Sequence, residues 1–174
     1  VIGTGKIGAN VCKIASKGFE MKVLAYDKFP QAKLAKKYNF KYAPTLNEIW
    51  KESDIITLHV PLFPETEHLI NEKTIKKMKT GVVLINTARG GLIDTKALIQ
   101  AIKSGKIANA ALDVIEHETN IKKNKQLLNL PGVIITPHIA FYADSSMEKM
   151  FEEAIKSIEQ FRYHKKLTHQ VQGV

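Results

Sequence analysis

Short apolar runs alternate along this chain with longer stretches in which apolar side chains recur every three or four positions. The runs read as strands at residues 22–26, 54–59, 82–87, 107–114 and 133–136, with the tail of another at 1–3 and a brief extended piece at 40–42. The amphipathic stretches predict helices over 6–17, 31–38, 45–51, 71–78, 95–104 and 143–162, while 121–129 fits no single period. Thr45 followed by Glu48 predicts a capping box, and Asp94 an N-cap. Short apolar strands alternating with helices imply a parallel sheet covered on both faces, an α/β fold. In such a sheet ligands bind outside the carboxyl ends of the strands.

Composition narrows this only slightly. A chain of 174 residues is about one domain, and 44% hydrophobic with 25% charged residues is ordinary for a globular protein. No run reaches the ~20 apolar residues of a membrane span and no signal pattern opens the chain, so no membrane partner and a cytoplasmic location are expected. The single cysteine, Cys12, falls among Ile7, Val11, Ile14 and Ala15 on an apolar helical pattern, which predicts a buried structural thiol. The formal charge of +9 is nearly all lysine, spread over helix faces such as Lys33, Lys36 and Lys37 or Lys73, Lys76, Lys77 and Lys79. Arg89 and Arg162 are the sole arginines, and no aromatic residues interleave with a basic stripe, so no nucleic-acid partner is expected.

The chain opens on VIGTGKIG. Gly3, Gly5 and Gly8 spell G-x-G-x-x-G between a strand and a helix, and a second strand ends at Asp27, about 20 residues on. Gly3 permits the tight turn, Gly5 lets a pyrophosphate approach the backbone, and Gly8 allows close helix–strand packing. The helix N-terminus offers free N–H groups at Lys6 and Ile7. Asp27 accepts from ribose hydroxyls and repels a 2′-phosphate, which favours NAD over NADP, although Lys28 weakens that preference. The fold expected is therefore a doubly wound Rossmann-type sheet.

Arg89, Glu118 and His138 end successive strand patterns, VVLINTARG, AALDVIEHE and VIITPHIA. An arginine fork holds a planar carboxylate through two parallel bonds. An imidazole exchanges protons near neutral pH, and a carboxylate on its other nitrogen fixes the tautomer and raises its pKa. That set suits reduction of a small 2-keto acid or oxidation of a 2-hydroxy acid. Glu118 and His138 are far apart in sequence, so their contact is itself a prediction. No metal-ligand spacing appears, and His59, His68, His117, His164 and His169 read as structural or solvent-exposed.

GTGKIG, HVPL, INTARG, ALDVIEHE and TPHIAFY, in that order, resemble the successive signatures of the D-isomer-specific 2-hydroxyacid dehydrogenases. The AFY after His138 is nearer the branch of D-lactate and D-hydroxyisocaproate dehydrogenases. The resemblance implies that Arg89, Glu118 and His138 are catalytic and that Asp113 supports the nicotinamide carboxamide. It also implies that Val60, Pro61, Thr66, Thr87 and Ala88 line the cofactor and that the protein is a homodimer. It further implies an NAD-binding domain over 1–139 with its first strand cut short. Residues 140–174 are then a helical return towards a substrate domain outside this chain, without which turnover is poor. The return carries a wide apolar stripe, Met147, Met150, Phe151, Ala154, Ile155, Ile158 and Phe161. A non-catalytic, corepressor-like NAD-binding module is the alternative, and the intact Arg–Glu–His set argues against it. Related formate dehydrogenases carry glutamine in place of Glu118.

Overall fold

The computed structural model describes residues 1–168 and divides into two units, residues 1–138 and the segment from Ile139 onward. His169 of the sequence analysis lies outside the described residues.

In the first unit the elements run α1 (Lys6–Lys17), β1 (Leu24–Ala25), α2 (Ala32–Tyr38), β2 (Lys41–Tyr42), α3 (Leu46–Glu52), β3 (Ile55–Leu58) and α4 (Glu72–Lys77). They continue through β4 (Val82–Asn86), a 3₁₀ turn (Gly90–Leu92), α5 (Thr95–Lys103), β5 (Ile107–Leu112), α6 (Ile121–Leu128) and β6 (Val133–Ile135). Pairing is parallel throughout, in the orders β1-β2 and β3-β4-β5-β6. Ile2 joins the two sets. Its N–H donates to Thr57 O at 2.9 Å and its carbonyl accepts from His59 N at 2.7 Å, while Gly3 N donates to Tyr26 O at 2.8 Å. The spatial order is thus β2-β1-Ile2-β3-β4-β5-β6, and its direction reverses at Ile2.

The buried apolar side chains gather in two clusters. Val1, Cys12, Val23, Ala25 and Phe40 form the smaller, with α1 and α2. The larger gathers Ile49, Trp50, Ile56, Leu58, Leu84, Leu92, Leu98, Ile107 and Leu127 from α3 to α6 and the central strands. Cys12 is fully buried, as its pattern predicts, and Val11 and Ala15 pack against the same core, but Ile7 and Ile14 of that pattern do not. Gly8, Ala9, Cys12 and Ser16 are buried, whereas Ile7 and Ile14 are 68% and 55% exposed. The reason is Gly8: a Cβ there would stand 1.9 Å from Gly3 O, so only a glycine face approaches the strand closely enough.

Helix caps also depart from expectation at one place. Thr45 precedes α3 without capping its backbone; its hydroxyl donates to Glu48 Oε1 at 3.3 Å, side chain to side chain, so the predicted capping box does not form. A reciprocal box appears instead at α4, where Asn71 Oδ1 accepts from Lys73 and Thr74 N and Thr74 Oγ1 accepts from Asn71 N. Asp94 caps α5 through Lys96 and Ala97 N, as predicted. The ambiguous stretch 121–129 is helical, as α6.

The second unit is α7 (Asp144–Arg162), with no buried residue and with Phe151, Ile155, Ile158 and Phe161 exposed along its apolar stripe. Among the described residues no helix is long and apolar enough to cross a membrane.

The close packing at Gly8 predicts that Gly8→Ala lowers the unfolding free energy by about 1–3 kcal/mol, the usual cost of overpacking. Gly5→Ala, where an added Cβ meets nothing within 4 Å, is expected to leave urea unfolding nearly unchanged.

Candidate active site

The first strand, β1, β3, β4, β5 and β6 all end on one edge, and the candidate residues lie there. Gly3 turns the chain at φ +88°, where a Cβ would collide with His59 O. Gly5 is the N-cap of α1, where among the described residues an added Cβ would meet nothing within 4 Å, and Lys6 and Ile7 follow exposed in the first turn. Open backbone at the positive end of a twelve-residue helix suits an anionic pyrophosphate.

Asp27 ends the next strand and is held by its own chain. Oδ2 accepts from Thr4 N at 2.6 Å and Thr4 Oγ1 at 2.9 Å, and Oδ1 accepts from Phe29 N at 2.8 Å. Burial raises its pKa, but these bonds together outweigh burial and hold the carboxyl below its ordinary value. On the neighbouring loop the Thr66 hydroxyl donates to Pro61 O at 2.7 Å and accepts from Phe63 N at 2.8 Å, which ties the turn carrying Val60 and Pro61.

Arg89 is presented by a turn that Asn86 builds. Asn86, fully buried at the end of β4, donates through Nδ2 to Arg89 O at 2.9 Å and accepts from Ala88 N at 3.0 Å. Gly90 then lies so close to the segment after β5 that a Cβ would stand 2.0 Å from Ile115 O. The ARGG glycine therefore packs the arginine turn onto the segment leading to Glu118. Thr87 and Arg89 are exposed and Ala88 half-buried. The guanidinium spends one donor on Ala88 O at 2.7 Å, leaving most of its fork for an incoming anion.

His138 and Glu118 meet across the ends of β6 and β5. His138 Nδ1 lies 3.0 Å from Glu118 Oε2, the contact that the sequence predicts, and both side chains are partly exposed, 47% and 38%. His138 adopts a left-handed backbone, φ 55°, fixed by its N–H donating to Asp113 O at 2.9 Å. Asp113 is buried and accepts from Thr136 Oγ1 at 2.5 Å. These residues border a cavity of about 360 Å³ whose other walls include Ile115, Ile121, Leu128 and Pro137. With Nδ1 committed to a carboxylate, Nε2 is the nitrogen available for proton exchange.

A second imidazole–carboxylate pair stands beside this one. His68 Nε2 lies 2.8 Å from Glu116 Oε1, and Glu116 Oε2 accepts from Thr95 N at the start of α5 at 2.8 Å. The hydrogen bond with Glu116 raises the His68 pKa. Burial raises that of Glu116, but bonds from Thr95 and His68 outweigh it and lower the pKa. His68, read from the sequence as structural or solvent-exposed, is part-exposed and has this carboxylate as its partner. His59 bonds Thr57 Oγ1 at 2.9 Å, and burial pushes its pKa down to about 4. His117 and His164 both occupy left-handed turns. Thr4, Asn86 and Glu116 escaped sequence reasoning. The available signal was a polar residue closing an apolar strand, as in VVLIN, which marks a buried group that needs partners.

Residues 1–140 match the family described as "D-isomer specific 2-hydroxyacid dehydrogenase, NAD binding domain". The chain is 43% identical over 174 residues to an aromatic 2-oxoacid reductase of Clostridium sporogenes, covering 92% of this chain and 51% of that protein. It is 42% identical to the D-lactate dehydrogenase of Lactiplantibacillus plantarum, with the same coverages of 92% and 51%. Its fold superposes with a TM-score of 0.87 and 44% identity on the Aquifex aeolicus D-lactate dehydrogenase complexed with NAD and lactic acid, over 94% of this chain and 52% of that one. The chain thus spans about half the length of the curated relatives it matches.

The second pair carries a pH signature. His68, with a raised folded pKa, stabilises fully below the ordinary histidine value of 6.5 and loses that contribution as pH rises through its folded pKa. Glu116, with a lowered folded pKa, stabilises above the ordinary 4.5 and loses its contribution as pH falls through its folded pKa. A double-mutant cycle of His68→Asn and Glu116→Gln, read by thermal melting, should therefore show its largest coupling between pH 4.5 and 6.5 and a smaller one at alkaline pH.

Proposed function

The chain belongs to the D-isomer-specific 2-hydroxyacid dehydrogenases, and on that premise we propose that it supplies the cofactor site and the acid–base residues for reduction of a small 2-keto acid by NADH. The observation that carries this reading is the 3.0 Å pairing of His138 with Glu118 beside the buried Asp113. The residues present fit NAD. The bare Gly5 N-cap and the N–H groups of Lys6 and Ile7 receive the pyrophosphate, and Asp27 receives the adenosine ribose. Val60, Pro61, Thr66, Thr87 and Ala88 border the dinucleotide, and Asp113 supports the carboxamide. When bound, the nicotinamide supplies or accepts the hydride.

The chain's own side chains do the rest. Arg89 clamps the substrate carboxylate with the donors its turn leaves unused. His138 gives a proton from Nε2 to the keto oxygen in reduction and removes it in the reverse direction. Glu118 accepts from Nδ1, which fixes the tautomer and orients the ring so that Nε2 faces the substrate. Ile115, Ile121 and Leu128 give the adjoining cavity apolar walls.

We assign the activity of a D-lactate dehydrogenase acting on pyruvate or a similar 2-keto acid, in a cytoplasmic homodimer. A second reading, a bulkier aromatic 2-keto acid, is favoured by the reductase relative at 43% identity, level with the lactate dehydrogenase at 42%. The segment from Ile139 onward is read as the return to a substrate-closing domain. In the complete enzyme, His138→Ala should lower kcat for pyruvate reduction by about 10²–10⁴-fold while leaving NADH affinity unchanged. Retention of turnover would remove His138 from the chemistry. A wild type that binds NADH but reduces neither pyruvate nor phenylpyruvate would favour the non-catalytic module.

A further inference from the structure

Thr4, the second residue of the glycine motif, is only 1% exposed, and its side chain is not spent on the turn. Its hydroxyl lies 2.9 Å from Asp27 Oδ2 and 2.8 Å from the hydroxyl of Tyr42 at the end of β2. The order of donors follows from valence. An ionised carboxylate only accepts, and a threonine hydroxyl carries one proton. That proton goes to Asp27, so Tyr42 donates to Thr4. The result is a one-way relay, Tyr42 to Thr4 to Asp27, that crosses three neighbouring strand ends.

The relay divides the carboxylate into two unequal oxygens. Oδ2 takes two bonds, from Thr4 N and Thr4 Oγ1, and is saturated. Oδ1 takes one bond, from Phe29 N, and keeps an acceptor position. The group is tied at both ends and cannot turn aside. Resting on the reading that Asp27 receives the adenosine ribose, we propose that Thr4 and Tyr42 are specificity-determining positioning residues: they lock Asp27 so that Oδ1 alone meets a ribose hydroxyl and a 2′-phosphate meets an immovable anion. Lys28, exposed next door, gives the device its purpose. An Asp27 released from Oδ2 could swing away and leave that ammonium to attract the phosphate of NADPH.

The test is equilibrium titration of NADH and of NADPH, followed by nicotinamide fluorescence, with the wild type, Thr4→Val, Thr4→Ser and Tyr42→Phe, each checked by thermal melting. Loss of a hydrogen bond to a charged group predicts that Thr4→Val narrows the NADH preference about tenfold. Most of that change should come from weaker NADH binding with NADPH binding kept or improved. Thr4→Ser should restore the preference, and Tyr42→Phe should narrow it less than Thr4→Val does. Tyr42 is only half-buried, so its variant remains informative if Thr4→Val fails to fold. An unchanged NADH to NADPH ratio in folded Thr4→Val, or in folded Tyr42→Phe where Thr4→Val does not fold, overturns the relay. Equal loss of both dinucleotides in these variants also overturns it, since that is a structural effect. Failure of the wild type to bind either dinucleotide overturns instead the cofactor reading on which the relay rests.

Discussion

Parallel pairing through Ile2 is the constraint on which the rest of this structure depends. Its two backbone bonds to Thr57 and His59, with those of Gly3 and Val1 to Tyr26, join a two-stranded and a four-stranded ladder into one sheet. Parallel strands put every carboxyl end on one edge. Residues as distant as Asp27, Arg89, Glu118 and His138 are thereby delivered to one line without any contact having to draw them together. The strand order reverses at Ile2, the point at which sheets of this kind receive their ligands.

The edge is then shaped by backbone crowding rather than by large side chains. Gly8 lies against Gly3 O, Gly3 against His59 O, and Gly90 against Ile115 O, and in each case a Cβ would stand 2.5 Å or less from a carbonyl oxygen. Three glycines thus fasten α1, the β3 exit and the arginine turn to their neighbours. Gly5, alone in the motif, has open space above it. The same residue type serves packing at three points and access at one, and only the surroundings tell them apart.

Carboxylates on this edge differ in what surrounds them. Asp27, partly exposed, is held ionised by backbone and hydroxyl donors on both of its oxygens. Glu116 commits one carboxylate oxygen to the Thr95 N–H of α5 and the other to His68, and so braces the loop that leads to Glu118. Glu118 faces an imidazole at a half-exposed rim. Two glutamates two residues apart in one loop, each paired with a histidine from elsewhere in the chain, thus have different surroundings: one is tied into a helix start, the other borders the cavity.

The sequence by itself determined the alternation of strands and helices, the parallel sheet, the glycine turn and the residues of the edge, because each is written in local spacing: apolar periods, glycine intervals, a strand ending in a charged group. It grouped Ile7 and Ile14 with the buried side of α1 and gave α3 a capping box, because side-chain periodicity does not register how near a backbone must come. It passed over Thr4, Asn86 and Glu116, whose partners Asp27, Arg89 and His68 lie between 3 and 48 residues away. Tertiary structure decided the pairings of Thr4 with Asp27 and of Glu116 with His68, and gave the predicted meeting of His138 with Glu118 its geometry. Hydrogen bonds between residues on different strands depend on register and strand order, and no spacing along the chain encodes either.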